Sequence, residues 1–248
     1  MNSSLSPQEM SVQEEHFPIC NGVERRPDLA FVYPPEFPGD AMSVANTLQS
    51  AMSYLKEVTC IDPTQELGSR VVIGYSKACT QPNWSGRKEN LIRIPWNKYL
   101  SEENEPLDVC SHELVHPFYS VSPLHRINEF WGEGFCDFLR GPLKNFMGLD
   151  GDEYWRKKVK QAKENNQDRG GNAAGQFILR AQKKYDKLHD SDQFIEWFID
   201  EREAIRKFVN FLFMRFSSFP MSKEFKATEW ITKKEKKNCK GPFMDLSG

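Results

Sequence analysis

The sequence predicts an α+β fold, with a small, mostly antiparallel sheet first and a helical lower half after it. Three short apolar runs, each bounded by proline or by polar turn residues, lie before residue 97 and are typical of strands. From Pro106 to about residue 216, apolar residues recur instead at helical spacing. The chain of 248 residues is long enough to bury one core, so we expect one main domain.

The first predicted strand is Ala30 to Tyr33, which ends at Pro34-Pro35 because proline has no amide hydrogen to donate to a sheet. Asp40 is predicted to cap a helix that begins at Ala41 and runs for about 18 residues. Four apolar residues at helical spacing give that helix one buried face: Val44, Leu48, Met52 and Leu55.

Two further strands are predicted at residues 70–75 and 90–96, separated by a turn-rich segment that contains Pro82 and Gly86. The later strand has Pro95 near its end and one mixed face, which are features of an edge strand. We expect that edge to bind an extended peptide by backbone hydrogen bonds, as an added strand.

The lower half is predicted to contain five helices, at residues 106–116, 128–139, 153–163, 172–188 and 191–216. Gly141-Pro142 is predicted to stop the second helix, and Ser191 is predicted to cap the fifth. The fifth helix is rich in aromatic residues, which indicates core packing.

Composition divides the chain into three parts. Residues 1–25 are polar and show little periodicity, so we expect a flexible N-terminal arm. Residues 219–248 are rich in lysine and are predicted to form a C-terminal tail. A single folded domain is therefore expected over residues 26–218.

A formal net charge of -2 argues against a nucleic-acid partner, because such proteins neutralise many phosphates with lysine and arginine. No run approaches the roughly 18 apolar residues that span a bilayer, so no membrane segment is expected. The N-terminus lacks the basic and apolar regions of a signal peptide, which predicts a cytoplasmic protein. Six scattered cysteines and the glycosylation triplet Asn83-Trp84-Ser85 leave a secreted form open. The oligomeric state stays open too.

The sharpest signal is His112-Glu113-Leu114-Val115-His116, because two histidines at i and i+4 lie on one face of a helix. One tetrahedral zinc ion can then bind both imidazoles. Glu113 is placed to act as general base, accepting a proton from a water molecule that the cation activates. The pattern predicts a Zn²⁺ cofactor and hydrolytic chemistry.

A catalytic zinc site uses three protein ligands, so a third ligand is needed downstream. A histidine six residues after His116 would fall at Ser122, which excludes the metzincin pattern. His125 lies in a predicted loop with no pattern around it. Glu133 is favoured as the third ligand, with Asp137 one helical turn later to orient a ligand histidine through its second ring nitrogen.

The run His112 to His116, followed by Trp131-Gly132-Glu133-Gly134-Phe135, resembles the zinc-binding core of gluzincin metallopeptidases, including aminopeptidases. The continuation through Asp137 to Arg140 resembles the plant basic secretory protein family of peptidases. The resemblance spans about residues 105–190. It implies a zincin-like fold and hydrolysis of peptide bonds in a peptide or protein substrate, with a glutamate as third ligand.

The resemblance also has departures. Several members of these families carry a tyrosine that stabilises the oxyanion, and the matching position here is Asn172, whose amide is a possible oxyanion or substrate donor. Tyr154, Tyr185 and His189 are alternatives if the fold brings them close. The chain also lacks a Gly-x-Met-Glu-Asn motif, which grips the free N-terminus in the aminopeptidases, so an endopeptidase is favoured.

Pro117 directly follows the second histidine, and we expect the helix to end or distort there, because a residue before proline disfavours helical geometry. Together with Asn172, this proline supports an alternative, a non-catalytic relative that binds peptide or holds a structural zinc. Glu113 argues against that alternative, since a structural site needs no base. A chance motif on a non-metal scaffold is a further alternative, against which Glu133 and Asp137 argue.

Overall fold

The computed structural model describes residues 16–96, 98–99, 105–126, 129–164, 171–186 and 189–217. The predicted C-terminal tail, and residues 1–15 of the predicted N-terminal arm, lie outside this range. The chain divides into two compact units. The first comprises residues up to 53 and 62–117, and the second comprises 54–61 and the chain from 118 onward.

The first unit contains a five-stranded sheet of β1 (Gly22–Arg25), β2 (Leu29–Tyr33), β3 (Val71–Ser76), β4 (Asn83–Trp84) and β5 (Leu91–Pro95). The strand order is β1-β2-β3-β5-β4. β2, β3 and β5 are parallel to one another, whereas β1 and β4 pair antiparallel at the two edges. The α+β class is confirmed, but the prediction of a mostly antiparallel sheet is wrong.

The parallel pairing of β2 and β3 follows from the helix between them, α1 (Ala41–Thr59). A strand that is followed by a helix and a second strand usually returns parallel to the first. The short helix α2 (Pro63–Leu67) completes this connection. The predicted cap of α1 is confirmed, because Oδ1 of Asp40 accepts a hydrogen bond of 3.0 Å from the amide of Met42.

The sequence analysis did not predict two short edge strands, β1 and β4. β4 pairs with β5 at Ile92 and Arg93, so the predicted edge strand is covered there and β4 is the edge instead. β1 lies within the predicted N-terminal arm and pairs along β2, so ordered structure begins before residue 26. Two to four partly exposed residues are too few for alternation to reveal a strand.

The predicted metal-binding helix is two helices, α3 (Glu105–Glu113) and α4 (Val115–Val121), interrupted at Leu114. The amide of Leu114 still donates to the carbonyl of Cys110 at 2.9 Å, so helical bonding continues up to the break. Pro117 has no amide hydrogen for the carbonyl of Glu113, four residues earlier. A distortion is present, but it falls at Leu114, two residues before the predicted place, and α4 continues through Pro117 to Val121.

The second unit contains a 3₁₀-helix (Pro123–Arg126) and five α-helices, which are α5 (Glu129–Phe146), α6 (Gly151–Lys163), α7 (Gly171–Tyr185), α8 (Ser191–Phe198) and α9 (Arg202–Ser217). The predicted last helix is therefore divided into α8 and α9. Its cap is Asp190 and not Ser191, because Asp190 and Gln193 form a reciprocal capping box. Among the described residues, no helix is long and apolar enough to cross a membrane.

Helix α5 continues through Gly141-Pro142, where the sequence predicted a stop. Pro142 cannot donate to the carbonyl of Phe138, and the indole of Trp155 on α6 donates to that oxygen instead. The predicted core packing of the last helix is confirmed for Phe198, which is fully buried and stacks on Trp155 with centroids 5.8 Å apart, whereas Trp197 is exposed. Trp155 also stacks on Phe138 with centroids 5.3 Å apart.

Candidate metal centre

The two histidines and the glutamate of the motif converge in the first unit. His112 and Glu113 end α3, and His116 lies in the first turn of α4. The Nε2 atoms of the two histidines are 3.2 Å apart, and Oε2 of Glu113 is 3.9 Å from Nε2 of His116. One potential ligand atom from each residue lies within 4.8 Å of the others. The break at Leu114 therefore leaves the i, i+4 pairing intact.

The spacing of the two nitrogens can be compared with zinc geometry. With Zn–N distances of about 2.0–2.1 Å and a tetrahedral angle, two ligand nitrogens lie roughly 3.3 Å apart. The observed 3.2 Å agrees with that value. Two imidazole nitrogens at this distance also need a shared proton or a cation, because two lone pairs facing each other repel. The three side chains could therefore hold a metal ion.

Burial around Glu113 makes the site partly water-excluded. Glu113 is 7% exposed, and Cys110, one turn earlier on α3, is fully buried. Burial raises the pKa of the Cys110 thiol, and the negative charge of Glu113 raises it further. The thiol therefore stays protonated at neutral pH, as expected of a small buried side chain and not of a thiolate ligand.

An aromatic side chain that the sequence did not single out lies against the site. The indole of Trp84, on the edge strand β4, is parallel to the ring of His116, with an interplanar angle of 4° and centroids 6.2 Å apart. In the sequence, Trp84 is the middle residue of a glycosylation triplet and carries no metal-site pattern. No local signal marks it, because the contact joins residues 32 positions apart.

Glu133, the predicted third ligand, lies in the first half of α5 in the second unit, between two glycines. A Cβ on Gly132 would lie 2.6 Å from the phenol oxygen of Tyr119, and one on Gly134 would lie 2.2 Å from Cβ of Ala173. Only glycine permits these approaches on both sides of Glu133. The third-ligand assignment stays a prediction.

Tyr119 is a second residue that the sequence did not single out. Burial raises the pKa of its phenol to about 12, and the charges of Cys136, Glu133 and Glu129 add to the effect. Its proximity to Glu133 depends on how α4 packs against α5, so spacing along the chain does not reveal it.

Asp137 lies one turn after Glu133 on α5 and is buried. Its Oδ1 accepts a hydrogen bond from the hydroxyl of Tyr154, and its Oδ2 pairs with Nζ of Lys158 at 2.7 Å. Burial raises the pKa of Tyr154, and the charge of Asp137 raises it further. These two partners from α6 were not predicted. The predicted hydrogen bond from Asp137 to a ligand histidine stays a prediction.

The candidates for the oxyanion donor all lie in the second unit. Asn172 is buried in the first turn of α7, and its side-chain oxygen has no hydrogen-bond partner among the described residues. The hydroxyl of Tyr154 already donates to Asp137. Tyr185 and His189 line a hollow of about 580 Å³ in this unit. Asn172 therefore remains the candidate for the oxyanion donor that the sequence suggests.

Comparison of the chain with models of protein families, with curated proteins and with solved structures found no match.

Proposed function

We propose that this chain is a zinc-dependent metallopeptidase. His112 and His116 supply two ligands, Glu133 supplies the third, and Glu113 is the general base. The observation that supports this proposal is the convergence of His112, Glu113 and His116, whose potential ligand atoms lie within 4.8 Å of one another. Among the described residues, no other group of three or more such side chains has this geometry.

A bound zinc ion would lower the pKa of a water molecule and polarise the carbonyl of the scissile peptide bond. Glu113 accepts a proton from that water, whose oxygen forms a new bond to the carbonyl carbon. Glu113 then gives the proton to the departing amine as the C–N bond breaks. Its burial favours this role, because a carboxylate shielded from bulk water exchanges its proton with a nearby reactant.

The substrate is a peptide or protein, and cleavage within a chain is favoured, because the motif that grips a free N-terminus in aminopeptidases is missing from the sequence. Asn172 is the proposed donor to the oxyanion. The proposed compartment is the cytoplasm.

A second candidate function is supported by Asn172, which stands where the peptidases that the motif resembles carry a tyrosine. A zinc site that only stabilises the fold, or a cleft that only binds peptide, needs no group that stabilises an oxyanion. Glu113 distinguishes the candidates, because a structural or binding site has no use for a buried carboxylate between two ligands.

Metal analysis and one matched pair of variants test the proposal. The purified protein should contain about one zinc per chain by mass spectrometry, and should cleave a mixed peptide library. Glu113→Gln should keep the zinc and lose cleavage by at least 100-fold, whereas Glu66→Gln, at an exposed position, should match the wild type. Protein that binds no zinc contradicts the metal site. Undiminished cleavage by Glu113→Gln contradicts the role of the base.

A further inference from the structure

The ring of Trp84 lies parallel to the ring of a proposed zinc ligand and is offset from it. The indole and the imidazole of His116 are within 4° of parallel, with centroids 6.2 Å apart. This is an offset arrangement, which aromatic rings prefer to a direct face-to-face stack. Both side chains are partly exposed, so core packing alone does not enforce the alignment.

Trp84 itself is held from two directions. Its backbone lies in β4, where it pairs with Ile92 of β5. Its Nε1 donates a hydrogen bond of 3.1 Å to Oδ1 of Asn90. The backbone pairing places the residue, and the side-chain bond selects the orientation of the indole.

Asn90 is a fixed anchor for that bond. Its side chain is fully buried, and its φ of +54° lies in the left-handed region, which asparagine tolerates better than most residues. Its Nδ2 donates to the carbonyl of Ser69 at 3.3 Å, and its backbone amide donates to the carbonyl of Gly86 at 2.9 Å. The bond to Ser69 therefore fixes the carboxamide of Asn90, and the bond to Gly86 fixes the backbone that carries it.

We propose that Trp84 is a positioning residue that sets the ring plane of His116, and that Asn90 holds Trp84 in place for this task. The proposal rests on the proposed function in taking His116 as a metal ligand. An imidazole binds a metal only when its nitrogen lone pair points at the ion, so rotation of the ring about its Cβ–Cγ bond weakens binding. A parallel indole on one face restricts that rotation, as hydrogen-bonded partners do in other metal sites.

This role differs from that of an ordinary edge-strand tryptophan. A tryptophan that only covers the sheet would affect stability when replaced, and would leave metal binding and the orientation of His116 unchanged. Replacing a positioning tryptophan would instead change metal binding and the orientation of His116. Loss of a group that orients a metal ligand lowers metal affinity by about 10-fold to 100-fold.

The test uses four variants of the full chain. Trp84→Ala removes the ring, Trp84→Phe keeps a smaller ring without the N–H, and Asn90→Gly keeps the left-handed backbone without the carboxamide. Trp197→Ala is the matched control, since Trp197 is an exposed tryptophan of α8 whose ring contacts Phe194 and Phe198. Thermal unfolding of the metal-free proteins shows which variants fold.

Zinc affinity is measured by competition with a chelating dye, and ligand geometry by the visible spectrum of the Co²⁺-substituted protein. We expect Trp84→Ala to bind zinc at least 10-fold more weakly and to shift the Co²⁺ bands, with smaller effects for Trp84→Phe and Asn90→Gly. Trp197→Ala should match the wild type. A folded Trp84→Ala protein with unchanged affinity and spectrum would overturn the proposal.

A metal-free measurement separates this proposal from the proposed function. In metal-free protein, the nuclear Overhauser effects from the ring protons of His116 to its own backbone report the ring orientation, and their pattern should change in Trp84→Ala and stay the same in Trp197→Ala. If wild-type protein binds no zinc, the proposed function fails, and this NMR comparison still decides whether Trp84 sets the ring plane. Identical His116 patterns in wild type and Trp84→Ala would sink the positioning role.

Discussion

The indole nitrogen of Trp155 donates a hydrogen bond of 2.8 Å to the backbone carbonyl oxygen of Phe138. In an uninterrupted helix, that carbonyl accepts from the amide four residues later, but residue 142 is proline. Gly141 makes the substitute possible, because a Cβ there would lie 2.1 Å from the indole nitrogen. One tryptophan thus allows α5 to continue through a glycine-proline pair.

Replacing Trp155 with phenylalanine should destabilise the protein. The ring volume is partly kept, but the buried carbonyl of Phe138 loses its donor, which costs about 1–3 kcal/mol. Urea unfolding followed by circular dichroism measures the change in the free energy of unfolding. Trp197→Phe, at an exposed site, should change it by less than about 0.5 kcal/mol. Equal stabilities for Trp155→Phe and wild type would show that the hydrogen bond is not needed.

Removing the cation of Lys158 should destabilise the protein, because the buried carboxylate of Asp137 would lose its ion-pair partner. Both side chains are about nine-tenths buried, and Lys158→Met would remove the cation from an ion pair of 2.7 Å while roughly keeping the chain length. Removing one partner of a buried pair costs about 3–5 kcal/mol. The neighbouring Lys157 is exposed, so Lys157→Met is a matched control with little expected effect. Comparable stabilities of the two variants would refute this account of the pair.

Stability should fall as pH rises above 9. Burial raises the pKa of Cys20 from 9.0 to about 11, with a nearby negative charge on Glu36 adding to the shift. Between these values the unfolded chain has already released the thiol proton while the folded protein keeps it, so rising pH favours unfolding. Urea unfolding at pH 8, 9.5 and 11 checks the trend.

The contribution of Cys20 is isolated with Cys20→Ala. This variant is expected to lose part of the decline between pH 9 and 11, while Tyr119, whose pKa is raised to about 12, sustains the decline at still higher pH. A decline of the same size in Cys20→Ala and wild type would assign the effect to other groups.

Zinc binding should identify the third ligand. His112→Ala and Glu133→Ala should each weaken zinc binding by more than 10-fold, because a three-ligand site loses one donor. His125→Ala should not, although His125 lies only nine residues after His116. His125 is exposed, and its Nδ1 lies 2.5 Å from the backbone carbonyl of Ser122, which leaves Nε2 as its one possible ligand atom. Isothermal titration calorimetry, with zinc added to metal-free protein, measures the affinity of the three variants and of the wild type. Loss of binding in His125→Ala with none in Glu133→Ala would reverse the ligand assignment.

Local sequence patterns were sufficient to predict most of the described helices and three of the strands. The periodicity of α1 and the cap at Asp40 depend on residues within one or two turns of each other. The same is true of His112 and His116, whose i, i+4 spacing survives the break at Leu114 because the backbone stays nearly helical there. Pro117 signalled that break, since its missing amide is a property of a single residue.

Pairings between distant segments could not be predicted in this way. The sequence showed that strands are present, but their parallel direction depends on how α1 crosses from β2 to β3. It also suggested that α5 ends at Gly141-Pro142. The helix continues only because Trp155, supplied by α6, replaces the missing donor.

The sequence by itself therefore determined that His112 and His116 can bind one metal ion beside Glu113, because the spacing of this trio is local to one helical stretch. Only the tertiary structure decided what surrounds that trio and the residues that follow it. Trp84 reaches His116 through the pairing of β4 with β5, and Lys158 reaches Asp137 through the packing of α6 on α5. Such contacts are set by sheet register and helix packing, which bring together residues whose separation along the chain carries no signal.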